Sequence, residues 1–324
     1  MVDVRSDRAI STVPDVALAL LLISASVLLL GLYLTAADTN DVDESQPAQL
    51  AETLSGSTIS AGYDLEAVTD SDHYEDPEGV DERQRTTYGS ATGLLAEAAV
   101  ANATVEGDPV LLYADSFTER VGASVESQFV GTDRRISVIA GWEPYRNASI
   151  NGTSTAGGSP PPLEDVTTTT MTVSSGMPAV DSAALASRYA ATGEIDALAE
   201  PIAAAIVRGY FPPERTQLAL ERQSLDRSVT VAQYLELADR IDCLDELELE
   251  ADTDSPLERT DARAGDANEI LIEGLTEPVA DDLASGPIGA ELEAIGDDED
   301  ELETFFEEAI APDSVDVTVY TWNP

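Results

Sequence analysis

The longest feature of the hydropathy pattern is Val16–Leu34, VALALLLISASVLLLGLYL, nineteen residues without a charge. At ~1.5 Å per residue such a helix extends ~28 Å, close to the ~30 Å hydrocarbon core of a bilayer, so the pattern predicts a transmembrane helix. Past it, short stretches of changing period follow one another. A strand is predicted at Thr58–Leu65, then a charged loop over Asp70–Arg85 with almost no apolar content. Ser90–Ala103 reads as an Ala-rich helix. Ala114–Phe129 reads as a second one, in which Phe117, Val121, Val125 and Phe129 share a face. Ile136, Val138, Ala140 and Trp142 then alternate with Ser137, Ile139 and Gly141, the period of two that marks a strand. A turn-rich connection leads to a β-branched strand at Val166–Val173. The two strands are predicted to pair as a β-ribbon with a Gly/Pro-rich excursion at one end.

From Asp181 to about Leu249 the period becomes helical. Ile195, Leu198, Ile202 and Ile206 form a stripe that Pro212-Pro213 must end, and Leu218, Leu225, Tyr234, Leu235 and Ile241 mark two further helices. An acidic, broken region follows, with one amphipathic patch at Ile270, Leu271 and Leu275. A last helix over Asp300–Ile310 gathers Leu302, Phe305, Phe306 and Ala309, and Val315, Val317 and Val319 alternate in a terminal strand. The fold class expected is α+β: an N-terminal transmembrane helix, then an acidic extracellular domain with a β-ribbon or antiparallel sheet and several packed helices. The expected divisions are a cytoplasmic leader (1–9), the membrane helix (10–37), a polar spacer (38–60), a β-containing part (61–178) and a helical part with the terminal strand (179–324). The shift near Pro178 is either a domain boundary or the step from sheet to helical layer within one domain. The second reading is favoured, because the terminal strand pairs most economically with the earlier ribbon.

Charge changes the picture further. The 324 residues hold 63 acidic side chains against 16 basic ones, every basic one is Arg, and the net charge is −47. Residues 1–37 carry Arg5 and Arg8 against Asp3, Asp7 and Asp15, so nearly all of the excess lies beyond them. Self-repulsion on this scale opposes compaction at low ionic strength, while molar salt shrinks the Debye length to ~3 Å and screens it. The composition points to a very saline medium and to an extremely halophilic archaeon. A nucleic-acid partner is not expected, because phosphate contacts need clustered cations and none cluster along the chain. Arg5 and Arg8 precede the apolar run, and Asp38, Asp41, Asp43 and Glu44 follow it. That asymmetry places the N-terminus in the cytoplasm and the C-terminal domain outside the cell membrane. Sequons at Asn102, Asn147 and Asn151 suit that side as N-glycosylation acceptors.

The chain offers little for catalysis. His73 is its one histidine, and no G-x-S-x-G turn accompanies it, so a Ser–His–Asp arrangement has no support. One His and one Cys supply too few nitrogen or sulfur ligands for a zinc site. Cys243 falls among the apolar positions Leu235, Leu237, Ile241 and Leu244 and reads as a small buried side chain. Asp70-Ser71-Asp72 and Asp252-Thr253-Asp254 begin like calcium loops but lack the glycine at the sixth position. No phosphate loop or dinucleotide fingerprint occurs. No enzyme activity, cofactor or metal is expected, and a hydrolase built on a carboxylate pair is the least favoured reading.

Arg8-Ala9 followed by Ile10-Ser11-Thr12-Val13 and the apolar run resembles the class III signal of archaeal type IV pilins. The resemblance implies that a prepilin peptidase cuts after Ala9, that Ile10 becomes the new N-terminus, and that the apolar helix packs against its neighbours in a filament core. The chain departs from that pattern at Asp15, sixth after such a cut. Pilins that use an acid there place it fifth, where Pro14 stands. The soluble part is similar to a haloarchaeal membrane-anchored, pilin-like family of unknown function. Arg8-Ala9-Ile10-Ser11-Thr12-Val13 with Asp15-Val16-Ala17, then Trp142-Glu143-Pro144-Tyr145, Pro160-Pro161-Pro162, Asp165-Val166 and Ser175-Gly176-Met177-Pro178 carry that likeness. The Trp-Glu-Pro-Tyr segment itself reads as a strand end closed by Pro, with its aromatics in the core. The function expected is a single-pass, structural pilin-like or minor pseudopilin-like component of a cell-surface pilus or secretion-type assembly. Its partners would be membrane lipid and other such subunits, met through close helix contacts at Ser24, Ala25, Ser26 and Gly31. The alternative is a membrane-tethered extracellular receptor or binding domain.

Overall fold

The computed structural model of the chain describes residues 46–76, 83–105, 107–129, 135–160, 162, 166–222, 224–247, 255–257 and 262–323. In the stretch read as a polar spacer stands α1 (Gln46–Gly56), which turns Ala51 and Leu54 inward. Next comes β1 (Thr58–Asp64) and, after the single turn α2 (Glu66–Thr69), its antiparallel partner β2 (Gln84–Ser90). Strand β2 begins inside the expected charged loop. QRTTYGS has no apolar alternation, but Thr86, Thr87 and Tyr88 favour extended backbone and β1 supplies the partner. Ser90 then caps α3 (Ala91–Ala101) by accepting a hydrogen bond from the Gly93 N–H at 3.1 Å. After the short hairpin β3 (Thr104–Val105) and β4 (Asp108–Pro109), α4 (Ala114–Glu126) buries Phe117, Val121 and Val125, as their spacing predicts.

A four-stranded antiparallel sheet follows, made of β5 (Arg135–Trp142), β6 (Gly152–Gly157), β7 (Thr167–Ser174) and, from the chain's end, β8 (Ser314–Trp322), in the order β6-β5-β8-β7. The expected ribbon of β5 with β7 does not form, because β8 inserts between them. Its register sets Val138 opposite Val319 and Ala140 opposite Val317, so both apolar rows fall on one face. A slip of one residue would turn either row to solvent. Strand β6 lies within the stretch read as a turn-rich connection. Its inward positions are Gly152, Ser154 and Ala156, too small or polar to show in hydropathy.

The helical part contains α5 (Ser182–Thr192), α6 (Asp196–Tyr210), α7 (Pro213–Glu221), α8 (Leu225–Arg240), α9 (Leu244–Leu247), α10 (Ala264–Ser285), α11 (Pro287–Ile295) and α12 (Glu299–Ala309). The stripe Leu198, Ile202 and Ile206 of α6 is buried, and α10 packs along it. Where a broken acidic region was expected, α10 spans 22 residues and includes Pro278, which has no N–H to offer the Gly274 carbonyl. Leu302, Phe305, Phe306 and Ala309 of α12 are all buried, as read from their spacing.

The expected fold class needs one correction. No helix among the described residues is long and apolar enough to cross a membrane. Even α10 carries Asp266, Glu269, Glu273, Glu277, Asp281 and Asp282, too many charges for hydrocarbon. Residues 10–37, on which the membrane helix was placed, lie outside the described residues. What stands is α+β with antiparallel sheets and several packed helices, and residues 44–324 form one compact unit.

Within that unit α3 is buried at nine positions and touches the four-stranded sheet, α1, α4 and β2. Ser154 of β6 donates to the Leu95 carbonyl at 2.7 Å, and Trp142 of β5 donates to the Pro312 carbonyl at 2.8 Å. Gly152 is where β6 passes against the end of α3: a Cβ there would run into the Ala99 carbonyl and the Ala103 backbone. Gly152→Ala is therefore expected to cost about 1–3 kcal/mol of stability. Gly158→Ala, with open space around it, should cost less than ~0.5 kcal/mol. Urea unfolding of the two variants checks this, and equal midpoints would contradict the packing. The net charge of −47 adds a second expectation. Raising KCl from about 0.1 M (Debye length ~10 Å) to about 1 M (~3 Å) should raise the thermal midpoint seen by circular dichroism; a midpoint indifferent to salt would be the opposite result.

Candidate functional site

One stripe of α3 borders a cavity. Gly93, Glu97, Val100 and Ala101 recur at the spacing of a single helix face and line a cavity of about 740 Å³. Glu97 is the one residue of that helix that stays open to solvent, with its carboxyl partly desolvated by its surroundings. The volume lies within the ~300–1,000 Å³ usual for small-molecule sites.

The cavity's remaining walls come from distant parts of the chain. Tyr63 at the end of β1, Tyr113 just before α4 and Phe117 in its first turn form an aromatic wall, with ring centroids 5.3, 5.0 and 6.2 Å apart. Opposed tilts of this kind add ~0.5–1.5 kcal/mol per pair beyond area burial. Arg215, Leu218 and Ala219 of α7, Arg222 just past its end, and Asp226, Val229, Thr230 and Gln233 of α8 also face the cavity. The elbow between α6 and α7 is made by Pro212 and Pro213: neither can continue α6, but Pro213 suits the first position of α7, where no N–H is needed. Phe211 at this elbow stacks on Tyr234 at 3.9 Å, and its carbonyl accepts from the buried Asn268 amide at 2.9 Å. Asn268 in turn accepts a hydrogen bond from the Tyr234 hydroxyl. The elbow is thus tied to α8 and α10.

Electrostatically the site is mixed. Arg85 of β2 pairs with Asp226 of α8. No described carboxylate pairs with Arg215 or Arg222. The Glu97 carboxyl is raised above its ordinary 4.5, chiefly by burial, and the Arg215 guanidinium partly offsets this. Burial likewise raises the Tyr63 and Tyr113 hydroxyls. The Tyr210 hydroxyl, raised by burial too, donates to the Val100 carbonyl at 2.8 Å. Gln233 is buried, and its amide nitrogen has no hydrogen-bond partner.

The residues singled out from the sequence lie elsewhere. Arg8, Ala9, Ile10, Ser24, Ala25, Ser26 and Gly31 fall outside the described residues. The sequons converge: the Asn102 amide donates to the Thr153 carbonyl at 2.9 Å and the Thr104 N–H to the Asn151 carbonyl at 3.1 Å. The Asn151 amide is held by the Ala148 and Ser149 carbonyls, whereas Asn147 is exposed in a left-handed turn at φ 58°. Trp142 and Tyr145 are core residues, the latter donating to Asp282 at 2.8 Å. His73 is half-buried in a bend rather than fully exposed. Cys243 is buried against Gly274, its thiol pushed up to about 11 by burial and by Glu246 and Asp242. Neither lines the cavity, so no imidazole-assisted nucleophile forms there. Among the described residues no three His, Cys, Asp or Glu side chains are grouped to hold a metal. A second cleft of about 710 Å³ between α6 and α10 is lined mainly by carboxylates, with Arg208 among them.

A family model described as a family of unknown function (DUF7284) matches residues 14–322, and the chain belongs to that family. No curated protein and no solved structure matches it. The likeness read from the sequence therefore holds at the level of a family of unknown function; the match carries no link to pilins or to haloarchaea.

Glu97 gives the site a pH signature. Because its pKa is higher folded than unfolded, the folded state holds the extra proton between 4.5 and the raised value, and stability falls as pH rises through that window. Glu97→Gln should then be more stable than the parent above the window and lose that advantage below 4.5. Denaturant midpoints taken across this range test the sign; an advantage that grows toward acid would refute it.

Proposed function

We propose that this protein is a binding module that takes a small organic ligand into the cavity between the β1–β2 hairpin, α3 and the α6–α7 elbow. The observation that carries this reading is the cavity's make-up. An aromatic wall faces polar and charged side chains, and among the described residues the lining holds no nucleophile paired with a base. That combination suits recognition better than turnover. The module corresponds to the receptor or binding alternative drawn from the sequence. Its charge of −47 without lysine supports work in concentrated salt. A pilin-like assembly role draws its support from sequence resemblance, chiefly Arg8-Ala9-Ile10 and the apolar run after it, whereas the cavity favours binding.

Ligand-observed NMR against a library of small aromatic compounds tests the proposal. Hits are expected that compete with one another and that vanish in Ala219→Trp, which fills the cavity from α7. Hits unaffected by that substitution, in a variant with native circular dichroism, would place binding elsewhere; a library without hits would count against a binding role.

A further inference from the structure

We infer that the ligand of this cavity is a small organic anion with a planar apolar body, seated with its charge toward Arg215 and Arg222 and its ring against Tyr63, Tyr113 and Phe117. The inference rests on the binding reading above and narrows it to a chemical class. The reason lies in a local reversal of charge. Among the described residues only two acidic side chains, Glu97 and Asp226, line the cavity, against three arginines, Arg85, Arg215 and Arg222. In a chain of net charge −47 this lining is net positive by one. Asp226 is engaged by Arg85, and neither Arg215 nor Arg222 forms an ion pair with Glu97 or Asp226.

The two guanidinium groups are placed for one task. Arg215 stands in the first turn of α7 and Arg222 on the extended residue just past its end, with Leu218 and Ala219 of the same wall between them. The Arg215 charge reaches Glu97, Tyr63 and Tyr113, so cation and aromatic wall act on the same space. A guanidinium offers a planar fork that matches carboxylate or phosphate oxygens, and such charge-assisted bonds are about twice as strong as neutral ones. Attraction at contact distance also survives where longer-range fields are screened by molar salt.

Calorimetric titration of the full chain in molar KCl with phenylacetate, phenyl phosphate, phenylacetamide and phenethylamine decides the matter. The anions are expected to bind about tenfold or more tightly than the neutral amide, with the amine weakest. Comparing phenylacetate with phenyl phosphate ranks the two anionic groups. In the variant carrying Arg215→Gln and Arg222→Gln, both exposed positions, the anion preference should disappear while binding of the amide persists. Arg135→Gln, outside the cavity, should retain the preference. Amide or amine binding as tight as the anions, or an anion preference surviving in the double variant, overturns this inference and leaves the binding reading standing. Failure of all the probes to bind overturns both.

Discussion

Burying a helix on almost every side requires side chains small enough for close approach and partners for every carbonyl turned away from water. The sequence ATGLLAEAAVA meets the first condition, since alanine keeps a high helix propensity while leaving room for neighbouring backbones. The second is met from outside the helix: Ser154 donates to Leu95 and Tyr210 to Val100. Strand β6 contributes by what it lacks, as Gly152 lets its backbone rest on the helix end. Sheet, hairpin and helical part are all positioned by their contacts with α3 and with one another. The terminal strand β8 lies in the middle of that sheet, so the last residues of the domain complete a layer begun some 180 residues earlier.

The cavity is a consequence of the same burial. Most faces of α3 are closed by alanine, leucine or valine against apolar partners, but its outward stripe carries Glu97 where a further apolar residue would have continued the core. The double proline at 212–213 turns α7 away, and the stack of Phe211 on Tyr234 holds that turn in place. Arg85 and Asp226 join β2 to α8 by an ion pair. Both are substantially solvent-exposed, so the pair contributes position more than stability. The room left is thus bounded by rigid elements, which favours a preformed site over one assembled by a ligand.

Much of the fold can be read from local pattern. The alternation at Ile136–Trp142 and Val315–Val319, the stripe Leu198, Ile202, Ile206 and the group Leu302, Phe305, Phe306 each fall inside an element of the predicted type. Elements whose buried residues are small or polar escape this reading. Strand β2 buries no large residue, β6 buries Gly, Ser and Ala, and α10 hides behind its acids and Pro278. Strand order escapes it too. Hydropathy assigns faces but not neighbours, so β5 and β7 look like partners until β8 separates them.

For the site the division is sharper. The sequence alone determined the acid excess, the absence of lysine, the poverty of nucleophile–base pairs and the periodicity that places Glu97 on a helix. That knowledge is local or additive, because composition and spacing are properties of the chain itself. Only the tertiary structure decided that Tyr63, Glu97, Tyr113, Arg215 and Gln233 surround one space, since residues up to 170 positions apart are brought together by packing and not by any repeat. It also decided which charges matter. Among so many carboxylates, Glu97 is distinguished by where α3 holds it, through desolvation that no count of acids records.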